Sequence, residues 1–296
     1  VELLTHQGIC ALLSDRPAKG HKGTFGHLFV LAGSRGFAGA VKLTCNAAMR
    51  SGVGLVTAGV PAPLADIIAA GLMEPMLLPL PATDLCTLAY KALEPIYDFI
   101  TNKSAMVVGP GLSQNPATTH LVRRLVSTCG LPLLVDADGL NALAEKRTRL
   151  DNRRTTAPDM VFTPHPGEMA RLTGLTTDKV QAERASVAEK YASLWQVVVV
   201  LKGAGTIIAA PDGRVKQCPL GNSGMATGGS GDVLSGIIGA LLAQGLDAFE
   251  ASCAGVYVHG LAGDIAARNK TERALIASDI IDMLPDAWRE IESTTS

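Results

Sequence analysis

A chain of 296 residues, 47% hydrophobic and only 18% charged, has the length and apolar content for one large α/β core. Its formal net charge of −1 gives no support to a nucleic-acid surface or a polybasic membrane face, and no apolar run approaches a membrane span. Six cysteines without C-x-x-C spacing and six dispersed histidines exclude a disulfide framework and a zinc cluster, so a cytoplasmic protein with free thiols is expected.

No charged-then-apolar leader opens the chain, and a first residue of Val predicts a processed or trimmed start. Residues 1–20 read as a lead-in. His21-Lys-Gly-Thr-Phe-Gly-His27 is a polar approach to the first strand, Leu28–Ala32, and Gly33–Gly39 is a loop before a helix over Ala40–Arg50. Strand, glycine loop and helix suit a nucleotide, but the spacing is not G-x-G-x-x-G. Next come a strand over Leu55–Val60, a helix over Ala62–Ala70, a short strand at Met76–Leu80 and a helix over Thr87–Ile100. Ala105–Val108 ends at Gly109-Pro-Gly111, and a helix starts near Pro116. Pro132–Asp136 ends at Asp136-Ala-Asp-Gly-Leu-Asn141, and Met160–Thr163 runs into Pro164-His-Pro-Gly-Glu168. One polar helix is expected between Asp178 and Leu194. The nearly all-Val strand Gln196–Leu201 precedes Lys202-Gly-Ala-Gly-Thr206, and Ile207–Ala210 with Arg214–Cys218 reads as a hairpin. Two or three helices close the chain, within Ala248–Ala267 and Ser278–Ile291. Strands alternating with helices throughout, with no linker or repeat, predict one doubly wound α/β domain over 1–296. Its strand-end turns should line one edge, where ligands bind in parallel sheets.

The chemistry is expected in Asn222-Ser-Gly-Met-Ala-Thr-Gly-Gly-Ser-Gly-Asp232, which runs into the apolar stripe Val233, Leu234, Ile237, Ile238, Leu241 and Leu242. A glycine-rich turn at a helix N-terminus offers unpaired amides and a favourable dipole to an anion. Asp232 is then either a carboxylate stabilising the helix start or a general base for a substrate hydroxyl; four glycines from 224 to 231 favour the base. No Gly-Lys-Ser/Thr follows, so the loop is not a Walker motif. Asp136, Asp138 and Asn141 either orient the site or cap the helix near Gly139, while His259 and Met225 read as packing.

These segments, in this order over roughly residues 20–290, resemble the ribokinase-like ADP/ATP-dependent NAD(P)H-hydrate dehydratases. The motifs are His21-Lys-Gly with Gly26-His27, Gly36-Phe-Ala-Gly-Ala40, Gly109-Pro-Gly111, Asp136–Asn141, Thr163–Glu168, Lys202–Thr206 and the loop ending at Asp232. The resemblance implies a ribokinase-like, three-layer fold with a mostly parallel sheet. The implied activity is repair of the S-epimer of NADH-hydrate or NADPH-hydrate: a nucleotide phosphorylates the ring hydroxyl and phosphate then leaves. Bacterial relatives typically use ADP and eukaryotic ones ATP. It implies Asp232 as base, with the amides of Gly229, Ser230 and Gly231 holding the phosphoryl group. Lys202, Gly203, Ala204, Gly205, Thr206 and Gly231 would hold the nucleotide, and Ala40, Gly109, Gly111, His165 and Asp232 the hydrated cofactor. Glu168 would reach Mg²⁺ through water.

Related kinases carry Thr-Pro-Asn-x-x-Glu where this chain has Thr163-Pro-His-Pro-Gly-Glu168. His165 in the Asn place favours the dehydratases over vitamin-precursor kinases, the rival reading; a histidine merely hydrogen-bonded at a strand end is the plainer account. Ser223, where the family usually has proline, should loosen the loop. The resemblance further implies a homotetramer and a paired NAD(P)H-hydrate epimerase, for which this chain has no room.

Overall fold

The computed structural model describes residues 1–13, 16–144 and 159–293. Its frame is a ten-stranded sheet. In chain order the strands are β1 (Glu2–Leu3), β2 (His27–Leu31), β3 (Leu55–Pro61), β4 (Met76–Leu80), β5 (Ala105–Val108), β6 (Leu133–Val135), β7 (Met160–Phe162), β8 (Val198–Leu201), β9 (Ile207–Ala209) and β10 (Val215–Gln217). Across the sheet they run β1-β10-β9-β8-β7-β6-β5-β2-β3-β4. All neighbours are parallel except β9, which is antiparallel to both β8 and β10. Strands such as Leu28–Leu31, Ala105–Val108 and Val198–Leu201 are apolar without alternation because helices cover both their faces.

The helices are α1 (His6–Leu12), α2 (Ala38–Arg50), α3 (Ala65–Ala69), α4 (Leu93–Ile100), α5 (Pro116–Thr128), α6 (Asp138–Ala144), α7 (Pro166–Thr173), α8 (Thr177–Ala182), α9 (Arg184–Trp195), α10 (Ser230–Ala243), α11 (Ala248–Lys270) and α12 (Ala277–Glu292). Buried residues of α1–α3 and α10–α12 form one core on one sheet face, and those of α4–α9 a second core on the other. That is the three-layer, doubly wound architecture expected. Helix α10 is buried almost all round, and a Cβ at Gly236 would lie 2.2 Å from the Thr44 carbonyl oxygen of α2. The missing side chain lets the two helices touch backbone to backbone.

Four local expectations change. Residues 1–20 are more than a lead-in, since β1 pairs in parallel with β10 and α1 buries Ile9. The helix expected from Thr87 starts only at Leu93, after a 3₁₀ turn at Tyr90–Ala92; Pro95, which cannot donate, falls in its first turn. A similar 3₁₀ turn, Ala62–Leu64, precedes α3. The single helix expected over 178–194 is two, broken at Glu183, whose ψ of 36° leaves the helical region. The break brings Arg184 to the end of β8, where its guanidinium donates to the carbonyls of Leu201 and Lys202 at 2.9 and 3.3 Å.

The chain order reverses between β2 and β5: β3 and β4 build outward on one side, β6, β7 and β8 on the other. A crevice beyond the carboxyl ends of these two strands is where such sheets hold ligands.

Candidate active site

Asp136 lies at the end of β6 and is 1% exposed. One carboxylate oxygen accepts from the Lys202 ammonium at 2.6 Å, and the other from the Ser235 hydroxyl of α10 at 2.7 Å. One buried carboxylate thus joins β6, the turn after β8 and α10. Its two side-chain bonds go to Lys202 and Ser235 and not to the amides that start α6, which favours the orienting reading over the cap. Asp138, in the first turn of α6, instead accepts from the Ser113 amide at 2.8 Å and from Asn141 at 3.2 Å. The Lys202 ammonium also stands 4.0 Å from Glu168. Burial works against its charge, but Asp136 and Glu168 outweigh that and raise its pKa.

The glycine-rich turn ends at Gly229, whose φ of 93° starts α10. A Cβ there would stand 2.4 Å from Leu43 of α2 and 3.2 Å from Ala277 of α12, so the position needs glycine for both conformation and space. Leu43 lies one turn beyond Ala40, so α2 carries the switch-point motif directly to this turn. The first amides of α10, including Gly231 and Asp232, have no intrahelical acceptor and favour an anion. A Cβ on Gly231 would lie 3.2 Å from the Lys202 ammonium. Asp232 is pushed up to about 7, first by burial and then by the Asp136 carboxylate, with Lys202 pulling the other way. A carboxylate so placed is divided between acid and base forms at neutral pH, as a general base requires.

His165 is the N-cap of α7: its Nδ1 accepts from the amides of Gly167 and Glu168 at 3.0 and 3.3 Å. Burial, then the nearby Lys202 and Arg171 charges, lowers its pKa, so the ring is neutral and carries its proton on Nε2. The ring is half exposed, with Nε2 3.5 Å from Glu168. The structure therefore supplies the plainer role for His165 and still leaves an edge open to a ligand. The Glu168 carboxylate accepts from the His165 amide at 2.8 Å, and burial raises its pKa.

At the switch point the Gly33 amide donates to the Pro110 carbonyl at 2.9 Å, and Ser34 to the Gly111 carbonyl at 2.8 Å. Gly111 packs against Phe37 and Ala40: a Cβ there would stand 2.7 and 3.1 Å from their Cβ atoms. Gly109 has a packing reason of its own, because a Cβ would overlap the Asp136 carbonyl at 1.8 Å. Gly203 and Gly205 turn at φ of 140° and 63°, and Thr206 donates to the Gly203 carbonyl at 3.0 Å, which closes the turn that carries Ala204. Gly109–Gly111, His165 with Glu168, and Lys202–Thr206 follow the carboxyl ends of β5, β7 and β8, where Lys202 pairs with Asp136 at 2.6 Å, stands 4.0 Å from Glu168, and shares with both an electrostatic influence on Asp232.

The family model for NAD(P)H-hydrate dehydratases matches residues 28–286. The chain belongs to that family. Among curated dehydratase-family relatives, the bifunctional NAD(P)H-hydrate repair enzyme of Moorella thermoacetica is 47% identical over 292 residues, 98% of this chain but 54% of that protein. The chain spans about half the length of such bifunctional relatives. The ADP-dependent (S)-NAD(P)H-hydrate dehydratase of Bacillus subtilis is 34% identical over 298 residues, 99% of each chain. A crystal structure of ADP/ATP-dependent NAD(P)H-hydrate dehydratase from Bacillus subtilis, co-crystallised with ATP and Mg²⁺, superposes with a TM-score of 0.85 at 31% identity, covering 98% of this chain and 99% of that one.

Sequence reasoning missed two contacts in this dehydratase-family site. Ser235 reads only as a helix position, and its bond to Asp136 spans 99 residues. His259, read as packing, brings Nε2 to 3.3 Å from the Ser230 hydroxyl, and burial lowers its pKa to about 4. Only its place between the apolar runs Val256–Val258 and Leu261–Ala262 of α11 marked it.

Proposed function

We propose that this chain catalyses the nucleotide-dependent dehydration of (S)-NADH-hydrate or (S)-NADPH-hydrate. Asp232, poised near neutrality at the start of α10, carries this reading. It takes the proton of the ring hydroxyl, whose oxygen attacks the terminal phosphorus of ADP or ATP. The nucleotide departs one phosphate shorter. The amides at Gly229 and Gly231 would face the charge that grows on the transferring group, and the Ser230 amide, which donates to the Thr227 carbonyl at 3.4 Å, would join them by giving up that long bond. Phosphate then leaves with the carbon–oxygen electron pair, an adjacent ring proton is lost, and the double bond returns. Hydroxide is a poor leaving group and phosphate a good one, so the phosphorylation has a chemical purpose.

Lys202 and the turn to Thr206 fit the nucleotide, with Gly203 and Gly205 allowing close backbone approach. Ala40, Gly109, Gly111 and the exposed edge of His165 fit the hydrated cofactor. Among the described residues no group of three or more His, Cys, Asp or Glu is placed to cage a metal. The donor set fits Mg²⁺ held mainly by nucleotide phosphates and water, with Glu168 reached through water. Bound there, the ion would offset phosphate charge beside the Asp136, Glu168 and Asp232 carboxylates.

Residues 1–296 are proposed as one catalytic domain, acting in the cytoplasm with the NAD(P)H-hydrate epimerase that the family resemblance implies, a pairing consistent with relatives that are bifunctional. No helix of the described residues is long and apolar enough to cross a membrane. A homotetramer is proposed from the family resemblance, and sedimentation gives its mass directly. The active-site assignment is tested with Asp232→Asn: turnover of NADH-hydrate should fall by at least a thousandfold while nucleotide affinity stays within a few fold. Near-normal turnover in that variant would remove Asp232 as the base.

A further inference from the structure

The glycine-rich turn has no secondary structure of its own beyond a 3₁₀ turn at Ser223–Met225, yet it must present the first amides of α10 in a fixed place. What holds it is one face of α11. Residues 259, 260, 263 and 264 share that face by helical spacing. His259 reaches Ser230 at the end of the turn. At its start, a Cβ on Gly260 would lie 3.2 Å from the Leu220 backbone carbon, so the chain lies directly on the helix. The space beside Gly263 is filled by Met225, where a Cβ would be 2.3 Å from Sδ. Asp264 makes two bonds to the turn: one oxygen accepts from the Gly221 amide at 3.1 Å, the other from the Asn222 amide group at 2.8 Å. Asn222 donates again to the Gly263 carbonyl at 3.1 Å and accepts from the Gly224 amide at 3.0 Å. Just beyond α11, Ser223 bonds the Glu272 carboxylate. The loosening expected from serine at 223 is thus opposed by a tether that proline could not form.

We infer that Asp264, acting through Asn222, is a positioning residue that fixes the 220–230 turn on α11 and so sets the phosphoryl-binding amides at the start of α10. Its carboxylate makes charge-assisted bonds, about twice as strong as neutral ones, to the two residues where the turn leaves the preceding chain. The role in turnover rests on the dehydratase reading proposed above; the mechanical role does not. Loss of the carboxylate frees the turn, and the transition state, which needs the amides aligned, suffers more than the bound substrate.

The test compares Asp264→Ala and Asp264→Asn with the unsubstituted protein by hydrogen exchange at residues 220–231, by kcat and KM with NADH-hydrate and ADP or ATP, and by Tm. Asp264→Ala should speed exchange in this turn at least tenfold and lower kcat at least tenfold, with KM within about twofold. Asp264→Asn, which keeps one acceptor, should recover part of both losses, and this comparison serves if the alanine variant folds poorly. Unchanged exchange in the turn for both variants overturns the inference whatever the activity. Faster exchange with unchanged kcat overturns its role in the reaction. Should the unsubstituted protein turn over neither NADH-hydrate nor, in a parallel assay, NADPH-hydrate, the function proposed above fails, and exchange alone decides the mechanical role.

Discussion

Asp232, the base proposed above, answers to two opposing demands. Catalysis needs a base available at neutral pH, whereas the folded chain buries this carboxylate beside other acidic groups and raises its pKa to about 7. Between an unfolded value near 4 and about 7, the folded state keeps a proton that the unfolded state releases. The stability linked to this group is therefore whole below pH 4 and lost as pH rises through 7. Asp232→Asn removes that loss. The variant should be more stable than the parent at pH 8, by on the order of 3 kcal/mol, with the gap closing toward pH 4. Thermal melts at the two pH values check this, and a gap that ignores pH contradicts it. Lys202 supplies the sign of a second prediction, since its charge pulls the Asp232 pKa down. Lys202→Ala should raise the nucleotide KM at least tenfold and move the rising limb of kcat/KM against pH to a value above 7. A limb that stays in place would uncouple the two residues. The sequence exposed Asp232, Lys202, His165 and Glu168 because each follows a strand or a glycine turn. It could not expose Ser235, whose function arises only when α10 lies against the end of β6.

At the scale of elements, the close approach of α10 and α2 joins the turn at Gly229 to the Ala40 motif. Gly236→Ala would improve intrinsic helix propensity by about 1 kcal/mol, yet its Cβ would press within 2.2 Å of the Thr44 carbonyl. We expect net destabilisation of about 2 kcal/mol, seen as a lower Tm, because two backbones must separate. A stabilised variant would contradict the packing account. Strand positions were legible because apolar runs such as Val198–Leu201 stop at glycine, aspartate or proline turns. Helix starts were less so. Pro95 and Glu183 acted through single backbone positions that a periodic apolar pattern averages away. The short β1 carries no alternation in two residues and becomes a strand only because β10 offers it an edge.

The whole molecule turns most of a linear list of motifs into one edge. Six segments spread over about 200 residues follow strands at the same end of the parallel sheet, whose order reverses at β2 and β5, whereas His21–His27 precedes β2 and packs at the other end, with Gly26 against the Ala243 carbonyl where α10 finishes. That much follows from alternating strands and helices. Strand order across the sheet, and the α11 face beneath the glycine-rich turn, depend on contacts between distant residues that no local pattern records.

The measurement that bears most directly on the account gives the purified protein NADH-hydrate and Mg²⁺ with ADP, with ATP, or with no nucleotide, and follows reduced-nicotinamide absorbance and phosphate release together. The account predicts recovery of absorbance only with a nucleotide, one phosphate released for each NADH regenerated. Recovery without nucleotide, or phosphate accumulating in a stable phosphorylated product with no absorbance regained, would contradict it.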